Sequence, residues 1–156
     1  MSDVIADPRA QVRDKALGLL VRREHSRGEL QQKLIQRGFE IPLIDQVLDE
    51  LCASNELSDT RYAQALISHR AKAGYGPAYI RQELRERSVA PEIIDTSLVE
   101  AEFSWIKIAS AKHASRFPDP VIEDYKDWAR RASYLQRRGF DRETIRQVLG
   151  EWQSPG

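Results

Sequence analysis

Glu29-Leu30-x2-Lys33-Leu34-x3-Gly38-Phe39, followed by Ile44 and Val47-Leu48, is a segment whose pattern returns twice more along the chain. Displaced by 50 residues, its apolar positions become Ile80, Leu84, Val89, Ile94 and Leu98, with Asp95 under Asp45. Displaced by 101, they become Leu135, Gly139-Phe140, Ile145 and Val148-Leu149, and no copy needs an internal gap. Recurrence at such a period marks a repeat architecture, in which each copy is one supersecondary unit.

Each copy reads as three helices. Val12, Ala16, Leu17 and Leu20 make an apolar stripe at helical spacing, which predicts a first helix over about residues 8–24. Ser26 and Glu29 have the Ser-x-x-Glu form of a capping box, opening a second helix that carries Leu30, Leu34 and Ile35. Gly38 offers a left-handed stop, and Pro42 suits the first turn of a third helix with inner face Ile44, Val47, Leu48 and Leu51. In the second copy Ser58 or Asp59 caps a helix with Tyr62, Ala63, Leu66 and Ile67. Gly74-Tyr75-Gly76 then breaks the chain, and Pro77 and Pro91 open the next two helices. The third copy has a helix near residues 103–116, a break at Phe117-Pro118-Asp119-Pro120, a longer helix to Arg138, and a last one with Ile145, Val148, Leu149 and Trp152. No period-2 alternation survives between the breaks, so no strand is expected. The fold expected is all-α: three tandem three-helix repeats, over residues 1–57, 58–101 and 102–156, stacked into an elongated, curved body.

Composition narrows the function. The 156 residues carry 24 Lys plus Arg and 24 Asp plus Glu, for a net charge of zero. A protein holding DNA alone by neutralising phosphates usually has a clear basic excess. The balance shifts along the chain: residues 102–156 hold ten basic against eight acidic residues, and residues 1–57 hold eight against ten. Mean hydropathy is −0.56 and no apolar run approaches the roughly 20 residues that cross a bilayer, so no membrane role is expected. Met1 to Gln11 contains Asp3, Asp7 and Pro8 and no apolar core of a signal peptide. A single cysteine, Cys52, fits a reducing cytoplasm and reads as a small buried apolar residue.

Catalytic parts are missing. His25, His69 and His113 fall one per unit and read as exposed or turn residues, and no carboxylates form a recognisable pair. Gly38, Gly74, Gly76 and Gly139 sit at turns, with neither the preceding strand nor the glycine-lysine-serine pattern of a phosphate loop. Neither enzyme activity nor a metal or other cofactor is expected.

The residues resemble the RecX family. Arg70-x-Lys72-x-Gly74-Tyr75-Gly76-Pro77-x2-Ile80-Arg81-x-Glu83-Leu84 is similar to that family's central signature. Ala16-Leu17-x2-Leu20-x2-Arg23-x2-Ser26-x2-Glu29-Leu30-x2-Lys33-Leu34 is similar to its opening repeat, and Leu135-x3-Gly139-Phe140-x4-Ile145 to its closing one. The third copy is looser, because Arg131 stands where Leu30 does in the first and the Phe117–Pro120 loop interrupts it. The resemblance implies a monomeric regulator that binds in the groove of the filament formed by the RecA recombinase on single-stranded DNA. It also implies inhibition of RecA's strand exchange, ATPase and co-protease activities, restraining recombination and the SOS response.

Candidate contacts to that filament, or to single- or double-stranded DNA, are clusters of basic residues at the turns. Arg70, Lys72, Tyr75, Arg81, Arg85 and Arg87 surround the Gly74–Pro77 break; Arg22, Arg23 and Arg27 bracket the first turn; Arg130, Arg131 and Arg138, with Arg137, Arg142 and Arg146, form the densest basic stretch. Two readings stand for each: a converging partner surface, or a solvated helix face balanced by neighbouring carboxylates. Trp128, Tyr134 and Phe140 are interleaved with the last stretch, at spacings that suit either a core or a stacking platform. The rival function is a stand-alone helical nucleic-acid-binding module.

Overall fold

The computed structural model describes residues 7–153; the expectations on the N-terminal leader and on tail residues 154–156 lie wholly or partly outside them. The described residues form nine α-helices and no strand: α1 Pro8–Arg22, α2 Arg27–Gln36, α3 Ile41–Ala53, α4 Asp59–Lys72, α5 Pro77–Glu86, α6 Pro91–Glu100, α7 Trp105–Arg116, α8 Tyr125–Arg137 and α9 Arg142–Leu149. Caps fix the boundaries. Side chains of Asp7, Ser26, Ser58, Ser104, Asp124 and Asp141 accept backbone N–H bonds at their helix starts, and prolines open α1, α3, α5 and α6. Each second helix ends on a left-handed residue: Gly38 (φ 89°), Ser88 (φ 64°) and Gly139 (φ 101°), at offsets of 50 and 51.

Three separate cores follow. The first holds Val12, Ala16, Leu30, Leu34, Ile44, Val47, Leu48, Leu51 and Leu57. The second centres on Tyr62, Ile67, Ile80, Leu84, Ile94 and Leu98, and the third on Ala109, Leu135, Phe140 and Ile145. Trp105 packs against both of the last two. The principal helix–helix contacts all lie within a unit.

The units are joined head to tail through their second helices. At the first joint, Ser26 Oγ at the start of α2 donates to the carbonyl of Arg87 beyond α5 at 2.7 Å, and the Arg27 N–H donates to Asp59 Oδ1 at 2.7 Å. At the second, the Gly76 and Ala78 N–H groups at the start of α5 donate to the carbonyls of Arg138 (2.7 Å) and Gly139 (3.1 Å) beyond α8. Glycine is required by closeness here. A Cβ on Gly139 would lie 2.5 Å from Tyr79 N, one on Gly76 would lie 2.5 Å from Gly139 O, and one on Gly28 would lie 2.6 Å from Ser88 Cβ.

Several sequence expectations are corrected. Cys52 is exposed, because Leu51 takes the last inward position of α3 and the next residue turns outward, beneath Arg27. His25 is buried, with 1% exposure, since the first joint closes over it. The capping box is half formed: Ser26 Oγ accepts from Glu29 N, while the Glu29 carboxylate turns to Arg23. Helix α1 ends at Arg22, two residues early.

Replacing Gly139 with Ala combines a positive φ with a backbone clash and should cost about 2–3 kcal/mol in denaturant unfolding. Gly18→Ala, on α1 with open space around its Cα, should instead stabilise by about 0.5–1 kcal/mol.

Candidate functional site

The basic residues at the turns are mostly engaged within the protein. Arg23 forms a two-pronged pair with the buried Glu29 carboxylate, at 2.9 and 2.6 Å, and Arg87 approaches the same carboxylate to 3.5 Å from the second unit. Hydrogen bonds and charge from Arg23 outweigh burial and hold Glu29 below its ordinary pKa. Arg27 pairs with Asp49 at 2.9 Å. Arg70 makes two bonds to Glu83, at 2.7 and 2.6 Å, which keep the Glu83 carboxyl low. Arg81 pairs with Asp95. Such pairs answer positive charge locally and leave less of it for a partner.

The Gly74–Pro77 turn is itself the second joint. Arg138 lies 3.7 Å from the centroid of the Tyr75 ring, and its guanidinium donates to the carbonyls of Ala73 (2.6 Å) and Gly74 (3.2 Å). Tyr79 stacks on Tyr75 with centroids 4.2 Å apart. Tyr75 and Arg138, expected at a partner surface, are therefore parts of the connection between units two and three. Arg131 lies inside the third unit with 3% exposure, replacing the Leu30-type core residue. Its guanidinium satisfies the carbonyls of Asp119 (2.8 Å) and Val121 (3.0 Å) and pairs with Asp127, so it ties down the Phe117–Pro120 loop. Arg131 and Arg130 together hold the Asp127 carboxyl down to about 2. Arg130, 2.9 Å from Asp127, also covers the Phe117 ring at 5.3 Å.

Three of the sequence candidates remain uncommitted. Arg22, Lys72 and Arg85 are exposed, and among the described residues none has a carboxylate within 4 Å. Arg22 and Lys72 are the last residues of α1 and α4 and are exactly equivalent under the 50-residue offset, so the repeated fold presents them on corresponding edges. Arg116 ends α7 in the same way, over the Phe117 and Tyr134 rings. Sequence reading missed a second recurrence, the arginine at the C-cap of each second helix: Arg37, Arg87 and Arg138. The repeat offset alone would have found it. Arg87 and Arg138 serve the joints, while Arg37 faces water at the end of the row.

The domain descriptions of one family match in order along the chain. The first three-helix domain of RecX matches residues 13–51, the second 58–98 and the third 111–149. The chain belongs to the RecX family. It is 43% identical over 135 residues to the regulatory protein RecX of Halorhodospira halophila, covering 86% of this chain and 84% of that protein. It is 41% identical to the regulatory protein RecX of Pseudomonas entomophila over 149 residues, 96% of each chain. A crystal structure of RecX from Lactobacillus salivarius superposes with a TM-score of 0.77 at 18% identity, over 93% of this chain and 96% of that one, which establishes the shared fold. Most of the candidate arginines are thus committed to partners within the chain, and Arg22, Lys72 and Arg85 are left facing water.

A groove of about 690 Å³ runs between α8 and α9, with Tyr125, Trp128, Phe140 and Trp152 among its walls. Among the described residues, no cluster of three or more His, Cys, Asp or Glu is placed to hold a metal ion, and no helix is long and apolar enough to cross a membrane.

Buried His25 ties the first joint to pH. Its Nδ1–H donates to Arg23 O at 3.1 Å and its Nε2 accepts from Lys33 Nζ at 3.0 Å, so the ring is neutral. Burial pushes its pKa below 6.5, and burial and Arg131 do the same for His113. Both rings bind a proton more readily unfolded than folded. Their contribution is thus present above about pH 6.5 and lost as pH falls from there towards the lowered folded values. Melting temperature should fall between pH 7 and 5, and His25→Gln should flatten that fall.

Proposed function

We propose that this chain binds the RecA filament on single-stranded DNA and restrains RecA's strand exchange, ATPase and co-protease activities, acting as a monomer in the cytoplasm by occupying a surface and not by catalysis. The observation that carries this reading is the row of three separately cored units, joined by hydrogen bonds at their second helices, in a chain of the RecX family. A row of units presents repeated features at repeated intervals, which suits a partner that is itself a polymer of identical subunits. A small metabolite offers nothing for such a row to follow.

Charge supports a mixed partner. With net charge zero and most arginines already paired, the chain has little phosphate-neutralising capacity of its own. The uncommitted Arg22, Lys72 and Arg85 are the cations best placed to meet acidic protein surface or filament DNA. Arg130 and the solvent edges of Arg23, Arg27, Arg70 and Arg81 contribute at the margins of the same contact.

Added to RecA on single-stranded DNA, the chain should slow ATP hydrolysis at amounts equal to RecA or below. An ATPase rate unchanged at every ratio would overturn the proposal. Lys72→Glu combined with Arg85→Glu touches no joint and should raise the amount needed for half inhibition by about three- to tenfold, with helicity intact. Full inhibition by that variant would remove these two cations from the contact.

A further inference from the structure

The seams between second and third helices are bridged in two units and open in the third. In the first, Gln31 Nε2 on α2 donates to Asp45 Oδ1 on α3 at 2.8 Å. In the second, at equivalent positions, Arg81 on α5 pairs with Asp95 on α6. Fifty-one residues on, the same two positions are Ala132 on α8 and Arg146 on α9. The long polar side chain has become a methyl group and the acid has become a base. These two positions form no bridge, and the groove of about 690 Å³ lies at this seam, with Ala132 and Arg146 both on its surface.

The groove has features the other two seams lack. Tyr125 is 58% exposed and lies near-parallel to Trp128, at 17° with centroids 6.2 Å apart. Trp152 meets Tyr125 edge-on at 5.8 Å. The Trp128 Nε1–H donates to Gly150 O at 3.0 Å, which fixes that ring and anchors the segment bearing Trp152. Arg142 is exposed and has no carboxylate within 4 Å among the described residues, whereas exposed Arg146 makes a two-pronged pair with Glu143, at 3.0 and 2.5 Å, and Asp141 and Glu151 also line the groove. One exposed ring and two half-buried ones over an apolar floor, with the unpaired Arg142 at the mouth, suit an occupant that is flat, aromatic and anionic together.

We propose that this groove takes one nucleotide of a single-stranded nucleic acid, its base against Tyr125, Trp128 and Trp152 and its phosphate at Arg142, with Arg146 joining once its guanidinium turns from Glu143. The exchange of aspartate for arginine at position 146 favours an anion. The rings favour a base whose faces are free, which a duplex does not offer. An acidic peptide supplies the charge without the flat face. The proposal rests on the filament reading for the source of the strand, whereas the binding is read without RecA.

The experiment is a titration of the full chain with a deoxythymidine oligonucleotide, followed by tryptophan fluorescence. Saturable quenching that weakens as salt rises is expected. Ala132→Arg with Arg146→Asp rebuilds the bridge of the second unit, and should lower affinity about tenfold or more with the circular dichroism spectrum unchanged. Arg142→Gln, which leaves the seam as it is, should reduce the salt slope by about 0.7, the share of one single-strand phosphate. An absence of saturable quenching overturns the proposal, as does undiminished binding by both variants. Quenching by RecA alone that the oligonucleotide does not compete away also overturns it, in favour of a peptide. Read beside the RecA ATPase, inhibition without oligonucleotide binding sinks the groove and spares the regulatory function. Oligonucleotide binding without inhibition supports the groove and sinks the filament reading.

Discussion

The arrangement of the three units depends on helix-end carbonyls that find their donors in the neighbouring unit. The last carbonyls of a helix have no partner inside it, and the first N–H groups are equally unprovided for. Here the turn beyond α5 faces the start of α2, and the turn beyond α8 faces the start of α5, so each unit meets a need of the next. The approach is possible only because the contacting residues are small: Gly28 against Ser88, and Gly76 against Gly139. A side chain at either of the last two would push the units apart and leave backbone groups on both sides unsatisfied.

That constraint explains where the arginines went. A turn closed against another unit gathers carbonyls and buried carboxylates, and guanidinium groups are the side chains best shaped to satisfy several of them at once. Arg23 and Arg87 converge on Glu29, Arg138 caps the turn of Ala73 and Gly74, and Arg131 supports two loop carbonyls. The basic clusters visible at every turn are in large part the mortar of the row.

The helices, their caps and the three cores were legible because period, Ser, Asp and Pro starts, and glycine stops are local signals. Leu30, Leu34, Ile44 and Leu48 and their displaced copies needed no knowledge of the third dimension. The joints were not legible in that way. Ser26 reads as a cap and is also a donor to Arg87, 61 residues away; His25 reads as a turn residue and is sealed by a unit whose position the local pattern does not specify. Cys52 failed for a smaller reason, a single step of about 100° around α3 past Leu51. Whether a cation is spent or available is likewise a pairwise fact, invisible until Glu83 is found beside Arg70 and Asp95 beside Arg81.

The two joints are built from different materials. The one between the second and third units rests on main-chain hydrogen bonds and an arginine laid over a tyrosine. The one between the first and second adds ion pairs, Glu29 with Arg87 and Glu24 with Arg61 at 2.9 Å, to the Ser26 bond on the Arg87 carbonyl. Dissolved ions shorten the reach of charges and leave amide bonds nearly untouched. Rising ionic strength therefore acts unevenly on the molecule, weakening the contacts of the leading triplet more than those that align the trailing two.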